Sequence, residues 1–288
     1  MSGELLAAPD NGGGLFDVVR RRGLLRLIVR KELKVRYRSS VLGLLWSYVR
    51  PAVQFVVFYF ALGVFLGLNK QPNFVIYMFS GIILVNFFSE AFGQATRSVV
   101  ANGALVKKIY LPRELFPVAS VWVAIVHFLP QFLILLGACF FFGWTPSVNQ
   151  LIGAAGAFVI VTILSLGLGL LFGAANVMFR DSENIVDLML MMATWLSPVL
   201  YAWYLVRDTL GETFYFIYQL NPMTIAVELF HAAFWSPTAA VKLAPEGARL
   251  PDNLLSIWLP VGLLISFLIL ALGQSVFRRL EGRFAQEL

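Results

Sequence analysis

The feature that most constrains this chain is a long run without charge. Residues 115–179 contain no Asp, Glu, Lys or Arg. A membrane-spanning helix needs about 20 largely apolar residues, so the run is too long for one such helix and long enough for two. The Gly-Trp-Thr-Pro-Ser segment at residues 143–147 is typical of a turn. The run therefore predicts two membrane-spanning helices joined by this turn.

The composition also indicates a membrane protein. Of the 288 residues, 59% are hydrophobic and 13% are charged, and the mean hydropathy is +0.79. A soluble domain carries roughly 25% charged residues. The single cysteine, Cys139, lies inside an apolar run, so no disulfide can form within the chain. We expect an all-α membrane protein.

Four further charge-poor stretches predict four further spans. They lie at residues 51–69, 71–89, 188–206 and 253–277. Together with the two spans of the uncharged run they make six, which places both termini on the same side of the membrane. The predicted parts are a flexible N-terminus (1–19), an amphipathic helix (20–40), a six-span domain (41–278) and a tail (279–288).

The distribution of Lys and Arg predicts the orientation. Seventeen of these residues fall in the N-terminal segment, two of the loops and the tail, and four fall on the opposite side of the predicted spans. Cytosolic loops carry the excess of Lys and Arg in membrane proteins. We therefore expect both termini in the cytosol and the chain in the cell membrane (inner or plasma membrane). The net charge of +6 then needs no nucleic-acid partner.

Two segments are predicted to lie along the membrane surface or to enter it only partly. In the first, Arg22, Arg26, Arg30 and Lys34 follow one another at a spacing of four, with apolar residues on the opposite face. This pattern predicts an amphipathic helix in the cytosolic headgroup layer. The second, residues 213–227, is uncharged but too short to span and is interrupted by Asn221-Pro222. It predicts a re-entrant hairpin or an interfacial helix on the outer side.

A short charged segment between the second and third spans raises a choice between catalysis and docking. It holds Lys107, Lys108, Arg113 and Glu114. The chain has no H-E-x-x-H, G-x-S-x-G, C-x-x-C or G-x-x-x-x-G-K-[ST] motif, so metalloprotease, serine hydrolase, zinc and nucleotide-binding functions find no support. We expect a chain that is not itself an enzyme and binds no cofactor, so that any ATP is bound by another subunit.

Carboxylates and membrane-depth polar groups offer few alternatives. Asp181, Glu183 and Asp187 could form a glycosyltransfer site, but their position at the start of the fifth span favours an interaction with the helix N-terminus. His127 lies near the centre of the third span with no evident carboxylate at its depth, which favours a hydrogen bond between helices over a proton relay. Arg50 and Glu90 lie near inner span ends. Snorkelling explains both, and an ion pair between them is the alternative.

Aromatic residues are concentrated at the outer end of the fifth span. Trp195, Tyr201, Trp203 and Tyr204 surround Pro198 there. Trp and Tyr form belts at membrane interfaces, and aromatic faces also stack on sugar rings. An interface belt and a carbohydrate path both remain open.

Several groups of residues together resemble one known family. In residues 36–51 the group is Arg36, Tyr37, Ser40, Leu42, Gly43, Trp46 and Pro51. In the charged segment it is Leu105, Lys107, Lys108, Tyr110, Pro112, Arg113 and Glu114. The third group is Asn176, Phe179, Arg180, Asp181, Trp195, Ser197, Pro198 and Tyr201, followed by Asn221-Pro222 and the tail from Val276. With these in order, the chain resembles the ABC-2 type (type V exporter-like) permeases of O-antigen, teichoic acid and capsule export.

The resemblance implies a docking role for the charged segment. Residues of about 98–114 would form a coupling helix that docks on a partner ATPase, which holds ATP and Mg. Asn102 is expected to cap this helix at its N-terminus, and Pro112 to end it and suit the first turn of the next. The expected contacts are Val106, Lys107, Lys108, Ile109, Tyr110, Arg113 and Glu114.

The resemblance also implies a function, a gate and an assembly. Two copies of the chain would bind two ATPase copies and move a polyprenyl-pyrophosphate-linked polysaccharide outward. Arg36, Arg38 and Arg50 would hold the pyrophosphate, and residues of about 207–235 would form an outer gate. The loop 236–252 is longer than expected. The Ala- and Val-rich composition is similar to that of actinobacterial members, some of which export galactan. The alternatives are an ABC-2 permease for a drug or small lipid and a membrane-embedded glycosyl- or acyltransferase.

Overall fold

The computed structural model describes residues 14–36, 46–65, 67, 72–108, 111–243 and 250–288, and its regular structure in these ranges is helical. The α-helices are α1 Leu15–Arg20, α2 Arg22–Arg36, α3 Trp46–Phe58, α4 Phe74–Ala101, α5 Gly103–Lys108, α6 Leu115–Phe141, α7 Val148–Met178, α8 Ser182–Ala193, α9 Trp203–Leu210, α10 Glu212–Gln219, α11 Pro222–Phe230, α12 Ala239–Leu243, α13 Leu259–Leu280 and α14 Phe284–Glu287. Shorter π or 3-10 segments are Tyr59–Phe65, His231–Trp235, Leu254–Trp258 and Glu281–Arg283. The all-α prediction is confirmed.

Four helical stretches of the described residues are long and apolar enough to cross a membrane. They are Phe74–Ala101, Leu115–Phe141, Val148–Met178 and Leu254–Glu287. Each matches one of the predicted spans. The turn predicted at residues 143–147 is also present: Gly143 has a positive φ of 67°, and Ser147 begins a capping box with Gln150 at the start of α7.

The first predicted span overlaps α3. α3 continues as a π-helical segment to Phe65, and its apolar part is Ala52–Phe65. The predicted span reaches residue 69, but residues 66 and 68–71 lie outside the described part of the chain. The count of six spans therefore stays a prediction.

The fifth predicted span, residues 188–206, is not one continuous helix, so this prediction was wrong. α8 ends at Ala193 and α9 begins only at Trp203. Pro198 lies in the gap and cannot donate a backbone N–H to a helix. The hydroxyl of Tyr77 on α4 contacts the carbonyl oxygens of Pro198 and Tyr201 at 2.9 and 2.8 Å. The break therefore directs backbone acceptors towards α4.

Beyond the break, the chain folds back on itself through α9, α10 and α11. Gly211, with φ 84°, connects α9 to α10, and Asn221 accepts a hydrogen bond from the Met223 N–H while Pro222 occupies the first turn of α11. Every residue of α11 is buried, against α7, α13 and α4, whereas α10 is largely exposed. The re-entrant character of this segment stays a prediction.

α7 lies at the centre of the bundle, between α4 and α13. The backbones are close because glycines lie at the points of contact. A β-carbon at Gly167 would lie 2.7 Å from the backbone nitrogen of Leu270 on α13, and a β-carbon at Gly169 would collide with Ala95 on α4. A β-carbon at Gly273 of α13 would collide with the carbonyl oxygen of Gly167. Small residues allow helix backbones to approach in this way within membranes.

A smaller apolar cluster joins both ends of the described chain to α5. It is composed of Val18, Ile28, Val99, Val106, Leu115, Phe116, Ala119, Leu170, Ala174, Val177, Phe277 and Phe284. The four cationic residues of the predicted amphipathic face of α2 are exposed, and Ile28 on the other face packs into this cluster. The apolar face of α2 therefore packs against other helices of the same chain. The location of α2 in a headgroup layer stays a prediction.

The glycine contact between α7 and α13 can be tested by adding one methyl group. We expect Gly273→Ala to lower the free energy of unfolding by about 1–3 kcal/mol, because the added carbon has no space against the α7 backbone. Thermal unfolding in detergent measures the effect. The matched control is Gly137→Ala on α6, where the added β-carbon would have no atom within 4 Å beyond its chain neighbours and the backbone of its own helix. Equal stability of the two variants would contradict the close contact.

Candidate functional site

The predicted coupling segment forms a short helix at one end of the bundle. α4 continues to Ala101, and α5 follows it after a single residue, Asn102. Lys107 and Lys108 are exposed at the end of α5, and Val106 is buried in the smaller apolar cluster. Ile109 and Tyr110 lie outside the described residues. The segment therefore presents two exposed lysines on a short helix, and the buried side chain of Val106 holds this helix against the bundle.

Asn102 is not the predicted side-chain cap of α5. Its Nδ2 donates to the carbonyl oxygen of Ser98 at 2.9 Å, and its Oδ1 accepts from Nζ of Lys31 on α2 at 2.6 Å. The side chain thus connects α4 to α2 because partners there compete with the N-terminus of α5. Pro112 also differs from the prediction, since α6 begins three residues later, at Leu115.

Arg113 and Glu114 face the C-terminal part of the chain. The guanidinium of Arg113 lies 5.7 Å from the ring centre of Phe284, a cation–π arrangement. Glu114 is 1% exposed and accepts a hydrogen bond from Gln274 of α13 at 3.0 Å. α14 also packs against α5. Residues 113–114 thus contact α13 and the C-terminal region, and α5 contacts α14.

Three polar residues meet where α2, α4 and α6 come together. Glu90 of α4 accepts from the guanidinium of Arg36 at the end of α2, and its Oε1 lies 2.5 Å from Nδ1 of His127 on α6. The expectation that His127 has no carboxylate at its depth was therefore wrong. α4 extends well past Ser89, to Ala101, which places Glu90 inside the helix rather than at its end. The side chain of Arg50, the alternative partner of Glu90, lies outside the described residues.

A second polar contact explains two of the three carboxylates at the start of α8. Arg97 of α4 pairs with Glu183 through Nε and with Asp187 through Nη2, the latter at 2.5 Å. Glu183 also lies in the first turn of α8, as the expected helix N-terminal interaction requires. The carboxylates thus fix α8 to α4.

The aromatic residues around Pro198 do not share one surface. The side chain of Trp195 is 55% exposed, whereas Trp203 is 9% exposed and packs against Tyr215 at 5.3 Å between ring centres. Tyr201 donates from its hydroxyl to the carbonyl oxygen of Trp195 at 2.7 Å. A belt and a carbohydrate path remain open for Trp195.

A buried carboxyl–imidazole pair within residues 207–235 was not predicted from the sequence. Glu228 and His231 are 1% and 0% exposed, and their side chains lie 3.9 Å apart. The imidazole also stacks on the ring of Tyr77 at 3.8 Å between centres, and its Nε2 lies 3.1 Å from the Tyr77 carbonyl oxygen. The signal was available, because a carboxylate and a histidine three residues apart share one face of a helix.

An open cleft lies between α2, α4 and α6. It adjoins the smaller apolar cluster, because Ile28 and Phe116 belong to both. Its lining is mixed polar and apolar: Ile28, Glu32, Gln94, Arg97, Ser98, Ala101, Asn102, Phe116 and Ser120. Among the residues that the structure describes, no three His, Cys, Asp or Glu side chains are grouped as metal ligands would be.

These features define a multi-pass α-helical membrane protein with a cationic helix between two of its long helices. A family model described as ABC-2 type transporter matches residues 23–235. The chain belongs to this family, whose members are membrane subunits of transporters.

Curated relatives are similar over almost the whole chain. An O-antigen export system permease protein RfbA from Klebsiella pneumoniae is 29% identical over 276 residues, which cover 96% of each chain. The protein of the same description from Myxococcus xanthus is 26% identical over 272 residues, which cover 94% of this chain and 98% of that protein.

The buried carboxyl–imidazole pair predicts a stability effect. We expect Glu228→Ala to lower the free energy of unfolding by about 1–3 kcal/mol, since it leaves the buried imidazole of His231 without its polar neighbour. Glu212→Ala on α10 is the control, because that side chain is 81% exposed and its loss changes stability by about 0.5 kcal/mol or less. Chemical or thermal unfolding in lipid nanodiscs measures both. A Glu228→Ala protein as stable as Glu212→Ala would contradict the structural importance of the pair.

Proposed function

We propose that this chain is the permease subunit of an ABC exporter. It moves a polyprenyl-pyrophosphate-linked polysaccharide, O-antigen-like or galactan-like, from the cytosolic to the outer side of the cell membrane. The observation that carries the proposal is the match to O-antigen export permeases over 94–96% of the chain. An alignment that runs from end to end includes the segments on both sides of the membrane, so it covers the entrance, the path and the docking surface together.

A separate ATPase drives the transport in this proposal. Two copies of the ATPase bind ATP and Mg, and two copies of this chain form the channel between them. The exposed Lys107 and Lys108 form the docking surface together with Arg113 and the neighbouring residues Ile109 and Tyr110. Val106 and Glu114 are buried and hold this surface in place. Rigid-body displacement of α5 then passes to the bundle through α14, which contacts α5, and through Glu114, which contacts α13.

The substrate enters near the inner interface and leaves past the outer segment. Arg36, together with Arg38 and Arg50, provides positive charge for the pyrophosphate. On the outer side, Asn221 and Pro222 set the start of α11, and the Asn221 amide donates to the Leu196 carbonyl oxygen at 3.2 Å. This contact connects the gate to the turn that carries Trp195, whose exposed ring is suited to stacking on sugars. Both termini are cytosolic, as the distribution of Lys and Arg predicts.

Charge reversal on α5 tests the docking surface. We expect the double variant Lys107→Glu, Lys108→Glu to retain at least tenfold less ATPase during co-purification, because like charges brought together cost several kcal/mol at an interface. Lys242→Glu is the matched control: its ammonium contacts Thr145 in the turn between α6 and α7, at the other end of α6. Unchanged ATPase retention in the double variant would count against coupling through α5.

The lipid-linked substrate is tested by depletion of the protein in cells. We expect the polyprenyl-linked glycan to accumulate on the cytosolic side when export stops, because synthesis continues there. Extraction and mass spectrometry of the lipid-linked pool measure this, with re-expression of the wild-type chain as the control. A pool of unchanged size would contradict the polysaccharide substrate and favour a drug or small lipid.

A further inference from the structure

Arg36 and His127 form an anion-binding site. The carboxylate of Glu90, a residue of the same chain, occupies it. Two nitrogens from different helices, one of the Arg36 guanidinium and Nδ1 of His127, both contact Oε1 of Glu90. The two nitrogens themselves are 3.3 Å apart. Nitrogen groups that converge on one carboxylate oxygen form a receptor for an oxyanion, and here the carboxylate of α4 fills it.

The site is closed on one side and open on the other. His127 is 1% exposed, while the side chains of Arg36 and Glu90 are 32% and 26% exposed. An external anion can therefore reach the guanidinium without unfolding the bundle, and the imidazole forms the back wall. Glu90 is the only acidic residue of the three. Its side chain can move because it lies on the open side of the site.

A phosphate can replace a carboxylate in such a site. The guanidinium group binds carboxylate and phosphate with the same two-pronged geometry. Asn86 lies one helical turn from Glu90 on the same face of α4, and its buried Nδ2 has no hydrogen-bond partner within the described ranges. A phosphate group has more oxygen atoms than a carboxylate group, so it can also accept a hydrogen bond from the Nδ2 of Asn86.

The depth of the site suits a lipid headgroup. Glu90 is seven residues from Arg97 on the same helix, which corresponds to about 10 Å along the axis. Arg97 pairs with the carboxylates at the start of α8, so it marks the charged end of the bundle. Arg36 is the last residue of α2, and α2 is the helix whose cationic residues are predicted to lie in the headgroup layer.

We propose that Arg36 and His127 form a subsite for the diphosphate of a prenyl diphosphate lipid, which Glu90 occupies until the headgroup displaces it. This inference rests on the proposed function, since it names where the exported lipid is recognised. Displacement of Glu90 also removes the contact that holds the end of α2 to α4 and α6. Substrate binding thereby releases α2, and Glu90 acts as an internal competitor that excludes weaker anions.

Binding of farnesyl diphosphate to the full-length protein in phosphatidylcholine nanodiscs tests the subsite. We expect Glu90→Gln to bind about tenfold tighter, because a charged competing acceptor is removed, and Arg36→Gln to bind at least tenfold more weakly. His127→Gln should weaken binding less than His127→Leu, since glutamine retains a donor. Thermal unfolding confirms that each variant is folded. Glu183→Gln is the matched control, because it removes one carboxylate from Arg97, whose side chain is 31% exposed against 32% for Arg36, and leaves the contact of Arg97 with Asp187.

The outcomes separate the sources of the phosphate. Competition by inorganic pyrophosphate alone at the same concentration as farnesyl diphosphate, or by phosphatidylglycerol in the nanodisc, would overturn the assignment to a prenyl diphosphate. So would equal affinity of wild type, Glu90→Gln and Arg36→Gln, or a gain in Glu183→Gln as large as in Glu90→Gln.

The same measurements separate this inference from the proposed function. If the lipid-linked glycan accumulates on depletion but the Glu90 and Arg36 variants bind as wild type does, the subsite alone is wrong. If those variants change affinity as expected but no glycan accumulates, the subsite stands and the export of polysaccharide is wrong.

Discussion

The close backbone contact of α7 with α4 and α13 is the constraint on which the other features depend. Lipid offers helices little hydrophobic reason to associate, so packing of small residues must supply the attraction. Gly167, Gly169 and Gly273 allow that packing. Once α7 is fixed, α11 can bury its whole length against it, and the α4–α6 connection that contains α5 is brought to one end.

Two groups of polar residues lie within the bundle. In one, Glu90 joins Arg36 and His127, and in the other Glu228 lies beside His231, whose ring stacks on Tyr77. Buried or membrane-depth charges are costly without partners. Each group therefore helps to fix which helices are neighbours.

The sequence predicted the positions of the long helices better than it predicted which of their residues meet. Charge-free stretches identify α4, α6, α7 and α13 because length and apolarity are enough for that decision. They do not fix helix rotation when a helix is apolar on every side, so the meeting of Glu90 with His127 was missed. The end of α4 was also placed too early, at Ser89, which moved Glu90 to the wrong depth. The gap between Ala193 and Trp203 around Pro198 was not predicted, because it depends on the hydroxyl of Tyr77, a distant residue that contacts the carbonyl oxygens of Pro198 and Tyr201.

The smaller apolar cluster has a consequence for the order of assembly. Val106 of α5 packs in the same cluster as Phe277 and Phe284, which follow it in the chain only after α6, α7 and α13. During synthesis, α5 therefore emerges long before the side chains that support it. A chain interrupted before α13 leaves α5 without the support of Phe277 and Phe284, so a firmly held α5 is itself a sign that the bundle behind it is complete.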